Sequence, residues 1–228
     1  MSAPPELKVP NWRQAYRLVS SSFPPISIFE DVLDPADLEQ AYLIEGLTND
    51  RLREEAGLLS HVAAEDRVSG PGASPLMAAF THVGAVSRFT AGQYGVYYCA
   101  DSLPAAVAET RFHRERFLRA TAEPSLELTL RSYLCRIVKP LHDIRDDHEQ
   151  LHDPDLSAYP VAQRFAAELR KQQSWGLLYR SVRHPGGECA ALFRPPAASI
   201  PRQGVHLRYV WDGKLQQIVN VFEIKEIT

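Results

Sequence analysis

The residues best suited to chemistry lie in one segment, residues 87–115, which reads SRFTAGQYGVYYCADSLPAAVAETRFHRE. Arg88 stands in a loop, a short apolar strand follows it, and the next element is a helix that carries the carboxylate of Glu109. Helical spacing places Glu109 on one face with three apolar residues, Ala105, Ala108 and Phe112. The same spacing predicts that Arg111, Arg114 and Glu115 point elsewhere. A carboxylate among such neighbours costs roughly several kcal/mol in desolvation unless a cation pairs with it or its pKa rises.

Two explanations for Glu109 stay open at this level. Arg88 is the nearest candidate cation in the sequence, so a plain Glu–Arg ion pair, or a glutamate at the edge of the helix face, needs no function. The alternative is a carboxylate that acts on a bound substrate. Ser102 before Leu103 and Pro104 predicts the N-cap of this helix, with a proline in the first turn where no amide donor is lost.

Composition narrows the class of protein. The chain has 228 residues, of which 45% are hydrophobic and 23% charged, enough for a sizeable core. A net charge of −3, with Lys and Arg scattered, predicts no direct binding of nucleic acid. The N-terminus lacks a basic stretch followed by an apolar one, and no 18 apolar residues run together, so we expect a cytoplasmic protein without membrane association. The three cysteines, Cys99, Cys135 and Cys189, are expected to pack as small hydrophobes.

The elements that must position this segment are predicted from periodicity and turn signals. Helices are expected at residues 34–57, 75–83 and 157–171, the last an amphipathic helix with Ser157 as its cap. Strands are expected at residues 15–20, 126–138 with a bend, 176–182, 189–193, 205–211 and 214–224. Asp212-Gly213 is a hairpin signal between the last two strands. The mixed order of helices and strands predicts an α+β fold rather than an alternating βαβ fold.

Two other segments have the composition of a phosphate-binding loop and of a metal site, but each is better explained as an ordinary loop. The loop SGPGAS, residues 69–74, has neither glycine spacing of a phosphate-binding loop. Residues 142–153 collect three histidines and several aspartates, which are metal-ligand types. Because prolines bracket that stretch and no HExxH pattern occurs, we favour a solvated acidic loop over a metal site.

Several motifs in a fixed order resemble the RES domain family, which is named for its Arg, Glu and Ser. SRF contains Arg88, YGVYYCADSLPAAVAET contains Glu109, and GLLYRSVRHPGGECAALF contains Ser181. YRLV near the N-terminus and HDPDLSAYPVAQRFAAELR also resemble that family, so the similarity extends from about Trp12 to Arg202. The chain is similar to the longer members, which implies a single domain over residues 1–228 with a helical elaboration at about residues 30–83.

The resemblance implies a fold and an activity. The fold would be an ADP-ribosyltransferase-like mixed sheet core with surrounding helices. The activity would be that of a toxin in a toxin–antitoxin pair, which cleaves NAD by hydrolysis or phosphorolysis, with NAD as substrate and no further cofactor. The partner would be an antitoxin with an Xre-like helix-turn-helix domain, which caps the toxin in a hetero-oligomer. Two alternatives are transfer of the ADP-ribosyl or phosphoribosyl group to a protein, and a non-catalytic module that binds such a partner.

The same resemblance assigns roles to individual residues. Glu109, Arg88 and Ser181 would be catalytic, with Glu109 stabilising the positive charge that develops on the ribose. Arg17 and Tyr98 would bind NAD, the arginine at the pyrophosphate and the aromatic ring at a flat base. The chain departs from the family in its arginine loop, which commonly has a glycine before the arginine and an asparagine after the aromatic residue. Here Ser87-Arg88-Phe89-Thr90 has neither, which leaves the contact to a phosphate open.

Overall fold

A mixed β-sheet with helices on its faces forms the part of the chain that the computed structural model describes, residues 4–21 and 59–225. Its helices and strands, in chain order, are β1 Leu7–Lys8, β2 Ala15–Ser20, α1 Ser74–Thr81, β3 Tyr97–Ala100, α2 Leu103–Ala120, β4 Leu126–Cys135, β5 Leu141–Asp143, α3 Tyr159–Lys171, β6 Gly176–Arg180, β7 Glu188–Leu192, β8 Arg202–Asp212 and β9 Gln217–Ile224. The helix predicted at residues 34–57 lies outside the described residues. Of the predicted elaboration, residues 59–83 contain two short 3₁₀ turns and α1.

The nine described strands follow the order β1-β5-β6-β7-β3-β2-β4-β8-β9. The strands β5 and β6 pair in parallel, and the other neighbouring pairs are antiparallel. This arrangement confirms the predicted α+β class. None of the helices in the described ranges is long and apolar enough to cross a membrane.

Strand alternation divides the core into layers on the two faces of the sheet. On β3, the side chains of Tyr97 and Cys99 pack with Leu76 and Met77 of α1. The next residue, Ala100, faces the opposite layer, which contains the small residues of α2 and α3. All three cysteines are buried free thiols, as predicted.

A gap in the strand pairing opens the sheet near its centre. The strand β2 pairs with β4 along its whole length, from Ala15 to Ser20. With β3 it shares a single pair of residues, Tyr16 and Ala100. The helix α2 packs across both strands where they diverge. A space therefore forms between α2 and the sheet, and residues of the segment 87–115 form much of its wall.

Several predicted boundaries need correction. The strand β4 bends between Arg131 and Tyr133, as predicted, but ends at Cys135. Ser157 does not cap α3, because a 3₁₀ turn at Leu156–Ala158 precedes the helix, and Asp155 caps that turn by accepting the Ser157 N–H. The strand β9 begins later than predicted, because Asp212 accepts the N–H groups of Lys214 and Leu215 and holds a longer turn.

The stretch predicted to be a solvated acidic loop is partly built into the fold. Asp143 is buried in β5 and receives two guanidinium hydrogen bonds from Arg145. His152 is also buried, and its Nε2 accepts the Arg180 N–H. Within the described ranges, no three His, Cys, Asp or Glu side chains are grouped so that they could hold a metal ion.

Candidate active site

A cavity of about 360 Å³ lies between α2 and the diverging strands β2 and β3. Its volume falls in the range of roughly 300–1,000 Å³ that small-molecule sites occupy. Its wall includes Arg88, Glu109, Arg17 and Tyr98, four of the five residues assigned from the sequence. Other residues that line it are Val86, Ser87, His113, Arg114, Phe117, Tyr159, Tyr179 and Cys189.

The fifth residue, Ser181, reaches the same site through Glu109. Its hydroxyl donates a hydrogen bond of 2.6 Å to Oε1 of Glu109, although 72 residues separate the two in the chain. No described residue donates to the second carboxylate oxygen, Oε2. One oxygen of Glu109 is therefore fixed in position, while the other remains available to a ligand.

The loop after β6 sets the direction of the Ser181 hydroxyl. Its Oγ accepts the backbone N–H groups of Arg183 and His184, so its single proton goes to the carboxylate. The Ser181 N–H donates to the carbonyl of Gly187, where the loop turns back into β7. A Cβ at Gly187 would lie 3.0 Å from the Cβ of Ala105, so the loop packs tightly against α2. This contact holds Ser181 against the helix that carries Glu109.

Arg183 ties this loop to two other parts of the site. Its guanidinium lies 3.4 Å from the ring centroid of Phe112, one turn beyond Glu109 on α2. The same group donates to the carbonyl of Pro154. Arg183 therefore joins the serine loop, the glutamate helix and the segment that receives Arg88.

Arg88 is deeply buried and does not pair with Glu109. Its Nη1 donates to the carbonyls of Leu151 and Asp153, at 2.9 and 2.8 Å, and its guanidinium lies 4.9 Å from the ring centroid of Tyr159. The side chain is buried and its Nη2 has no hydrogen-bond partner. Within the described residues neither Arg88 nor Glu109 forms an ion pair, so the simple Glu–Arg pair considered from the sequence is wrong. A buried donor without a partner at a cavity wall favours an acceptor on a ligand.

Tyr98 builds the loop that carries Arg88. Its hydroxyl accepts the Phe89 N–H and forms a hydrogen bond of 2.8 Å with the Ser87 hydroxyl. Thr90 donates to the carbonyl of Tyr94 and accepts the N–H of Gly92. Both positions where this chain departs from the family's arginine loop, Ser87 and Thr90, thus supply hydroxyls that fix the loop.

Arg17 lines the cavity but is held by the strands. Its Nη1 donates to the carbonyl of Tyr98 at 3.1 Å, across the gap where the ladder between β2 and β3 has ended. Its guanidinium lies 4.6 Å from the ring centroid of Tyr97, whose side chain packs in the opposite core layer. Arg17 therefore holds the two strands together, and a role in binding substrate stays a prediction.

The electrostatic character of the cavity comes from one carboxylate and several arginines. Burial raises the pKa of the Tyr179 phenol and of the Cys189 thiol well above their ordinary values, so both groups near Glu109 are neutral at pH 7. Desolvation, followed by the positive charge of Arg183, lowers the pKa of His113, so its imidazole is neutral at pH 7 as well. Positive charge is thus supplied by guanidinium groups, which suits a phosphate-bearing ligand.

Sequence patterns missed two kinds of residue in this wall. Tyr159, the first residue of α3, stacks on Arg88, and nothing in its helical spacing pointed to the site. Arg114 was expected to point away from Glu109, yet it lines the cavity. The buried residues of α2 are Ala105, Ala106 and Leu118, so the inward face is rotated from the predicted one and the cavity lies along its edge.

Comparison with known proteins gives three findings. The family model described as RES domain matches residues 64–212, the range that holds Arg88, Glu109 and Ser181. The uncharacterized protein y4oC of Sinorhizobium fredii (strain NBRC 101917 / NGR234) is 26% identical over 220 residues, 91% of this chain and 87% of that protein. A chain in the crystal structure of the M. tuberculosis MbcT-MbcA toxin-antitoxin complex is 12% identical, with 92% of this chain and 90% of that chain covered and a TM-score of 0.43. Because the family model spans more than half of the sequence, this chain belongs to the RES domain family.

Proposed function

We propose that this protein cleaves the bond between nicotinamide and ribose in NAD, and that it acts as the toxin of a toxin–antitoxin pair in the cytoplasm. The observation that carries the proposal is the carboxylate of Glu109, fixed by Ser181 in a cavity whose other charges come from arginines. Membership of the RES domain family supports the toxin role.

The chemistry of the bond agrees with this arrangement. When nicotinamide leaves as a neutral base, positive charge develops on the ribose, and a carboxylate beside the sugar stabilises that transition state. The hydrogen bond from Ser181 to Oε1 fixes the orientation of the whole Glu109 carboxylate, and hence the position of Oε2. The carboxylate therefore needs little reorientation when the bond breaks. Ser181 acts here by orienting Glu109.

The remaining groups suit the rest of the NAD molecule. The free Nη2 of Arg88 is a donor for a pyrophosphate oxygen, and a guanidinium is well matched to phosphate geometry. Tyr98 and Tyr159 place aromatic surface at the cavity wall, which a nicotinamide or adenine ring requires.

The partner that we propose is an antitoxin with an Xre-like helix-turn-helix domain. Val86 and Phe117 line the cavity while 65% and 57% of their surfaces are exposed. A protein that covers the cavity would bury both apolar side chains and block entry of substrate at once. Co-expression with the product of a neighbouring helix-turn-helix reading frame should yield a stable complex that releases no nicotinamide.

The direct test is incubation of the purified protein with NAD. We expect release of free nicotinamide, and the accompanying product identifies the attacking group. Water gives ADP-ribose, phosphate gives ADP-ribose 1″-phosphate, and a protein acceptor gives labelled protein when tagged NAD is added to a cell extract. Absence of nicotinamide under all three conditions would contradict the proposed activity.

Replacement of Ser181 by alanine tests how Glu109 is held. We expect kcat for nicotinamide release to fall roughly 10- to 100-fold with little change in KM, because a charge-assisted hydrogen bond to the carboxylate is lost. The Ser181→Thr variant keeps the hydroxyl and should recover most of the activity. Equal kcat values for the alanine variant and the wild type would show that the hydrogen bond has no part in catalysis.

A further inference from the structure

Arg114 is a cation in the cavity wall that no structural ion pair explains. Two other arginines of α2, Arg111 and Arg119, both bind Glu115 in the pattern of a surface salt bridge. Arg114 is half-buried at the cavity, and no carboxylate of the described residues lies within salt-bridge distance of it. Its charge is therefore free to meet a ligand.

The surroundings of Arg114 make its charge costly without a counter-ion. Partial burial lowers the pKa of its guanidinium, because a charged group loses hydration against the protein. Its aromatic neighbour, Tyr209, is buried and has a pKa raised by that burial, so it contributes no negative charge. An anion that binds in the cavity would replace the lost hydration.

The helix sets the distance between this cation and the catalytic carboxylate. At 1.5 Å rise per residue, Arg114 lies about 7.5 Å beyond Glu109 along the axis of α2, and Phe117 about 12 Å beyond it. Along α2, the cavity wall thus carries the carboxylate of Glu109 first and the guanidinium of Arg114 beyond it. In NAD, one ribose and a methylene separate the scissile bond from the pyrophosphate. The positive charge that develops on the ribose would thus meet Glu109, and the negative pyrophosphate would meet Arg114.

We infer that Arg114 binds the pyrophosphate of NAD from the helix side of the cavity, which orients the substrate along α2. The nicotinamide ribose then lies at Glu109, and the adenosine half extends past exposed Phe117 toward solvent. This assignment rests on the proposed function, and it adds a second phosphate-binding residue to Arg88.

The test compares Arg114→Ala with Arg116→Ala, a matched arginine of the same helix that is exposed and does not line the cavity. Isothermal titration with ADP-ribose, and with nicotinamide riboside, which has no phosphate, measures each affinity in both variants. We expect Arg114→Ala to weaken ADP-ribose roughly 10- to 100-fold and to leave nicotinamide riboside unchanged. Arg116→Ala should match the wild type for both ligands.

The outcomes separate this inference from the proposed function. If the wild type binds ADP-ribose but releases no nicotinamide from NAD, the proposed cleavage fails while the phosphate site stands. Equal ADP-ribose affinity in Arg114→Ala and wild type overturns the inference alone. An equal loss of affinity for both ligands also overturns it, because that result would give Arg114 a role in the structure of α2 and not in binding phosphate. A wild type that neither binds ADP-ribose nor cleaves NAD refutes both.

Discussion

Substitution of Glu109 by glutamine is expected to reduce nicotinamide release by roughly 10²- to 10³-fold. The amide keeps the size of the side chain and an oxygen that accepts the Ser181 hydroxyl, but it has no negative charge to offer the ribose. Because the charge matters only as the bond breaks, the fall should appear in kcat, with KM nearly unchanged. Steady-state measurement of nicotinamide release from NAD separates the two parameters.

Two further measurements make this result specific to chemistry. The melting temperature of Glu109→Gln should stay close to that of the wild type, since the hydrogen bond to Ser181 is retained. Induced in cells, the wild type should deplete NAD and arrest growth, whereas the variant should do neither. Growth arrest that persists in both Glu109→Gln and Glu109→Ala would favour the non-catalytic interaction module instead.

Arg88→Ala should lower both stability and activity. The carbonyls of Leu151 and Asp153 lose a charged donor, and the stacking on Tyr159 is lost. We expect a loss of about 2–4 kcal/mol in the free energy of unfolding, since hydrogen bonds to charged groups contribute roughly 1.5–3 kcal/mol. Nicotinamide release should fall at least about 100-fold, because the donor proposed for the pyrophosphate is gone.

Arg88→Lys separates the two roles of this residue. An ammonium can still donate to the buried carbonyls, so most of the stability should return in a denaturant titration. Lysine has one nitrogen in place of the two terminal nitrogens of arginine, so it cannot bind the carbonyls and also present a separate donor to the ligand. Activity should therefore remain at least about 10-fold below the wild type. A lysine variant that is as active as the wild type would refute the proposed role of the Arg88 Nη2 in binding the pyrophosphate.

Local patterns were sufficient for most elements of the fold. The strand at residues 15–20, the capped start of α2 and the bend in β4 depend on neighbours in the sequence, and all three are confirmed. The errors occurred at boundaries. Asp155 and Asp212 each turn a side chain back onto nearby N–H groups, and such local competition moves the start of the helix or strand by a few residues.

The sequence did not predict which groups the site residues contact. Arg88 was matched with Glu109 because they are near in sequence, but its donors go to carbonyls more than sixty residues away. Arg114 was placed away from the site, because the predicted inward face of α2 was rotated from the one that packs on the sheet. Both errors have one cause, since helical spacing says which residues share a face but not what that face meets.

By itself, the sequence determined the residue types, their order and the α+β class, because these follow from side-chain chemistry and from periods of two and 3.6 residues. Tertiary structure alone decided that β2 and β3 part after one residue pair and leave a cavity beneath α2. It also decided that Ser181, rather than Arg88, holds Glu109. These features depend on contacts between segments far apart in the chain, whose geometry is set by packing of the whole sheet.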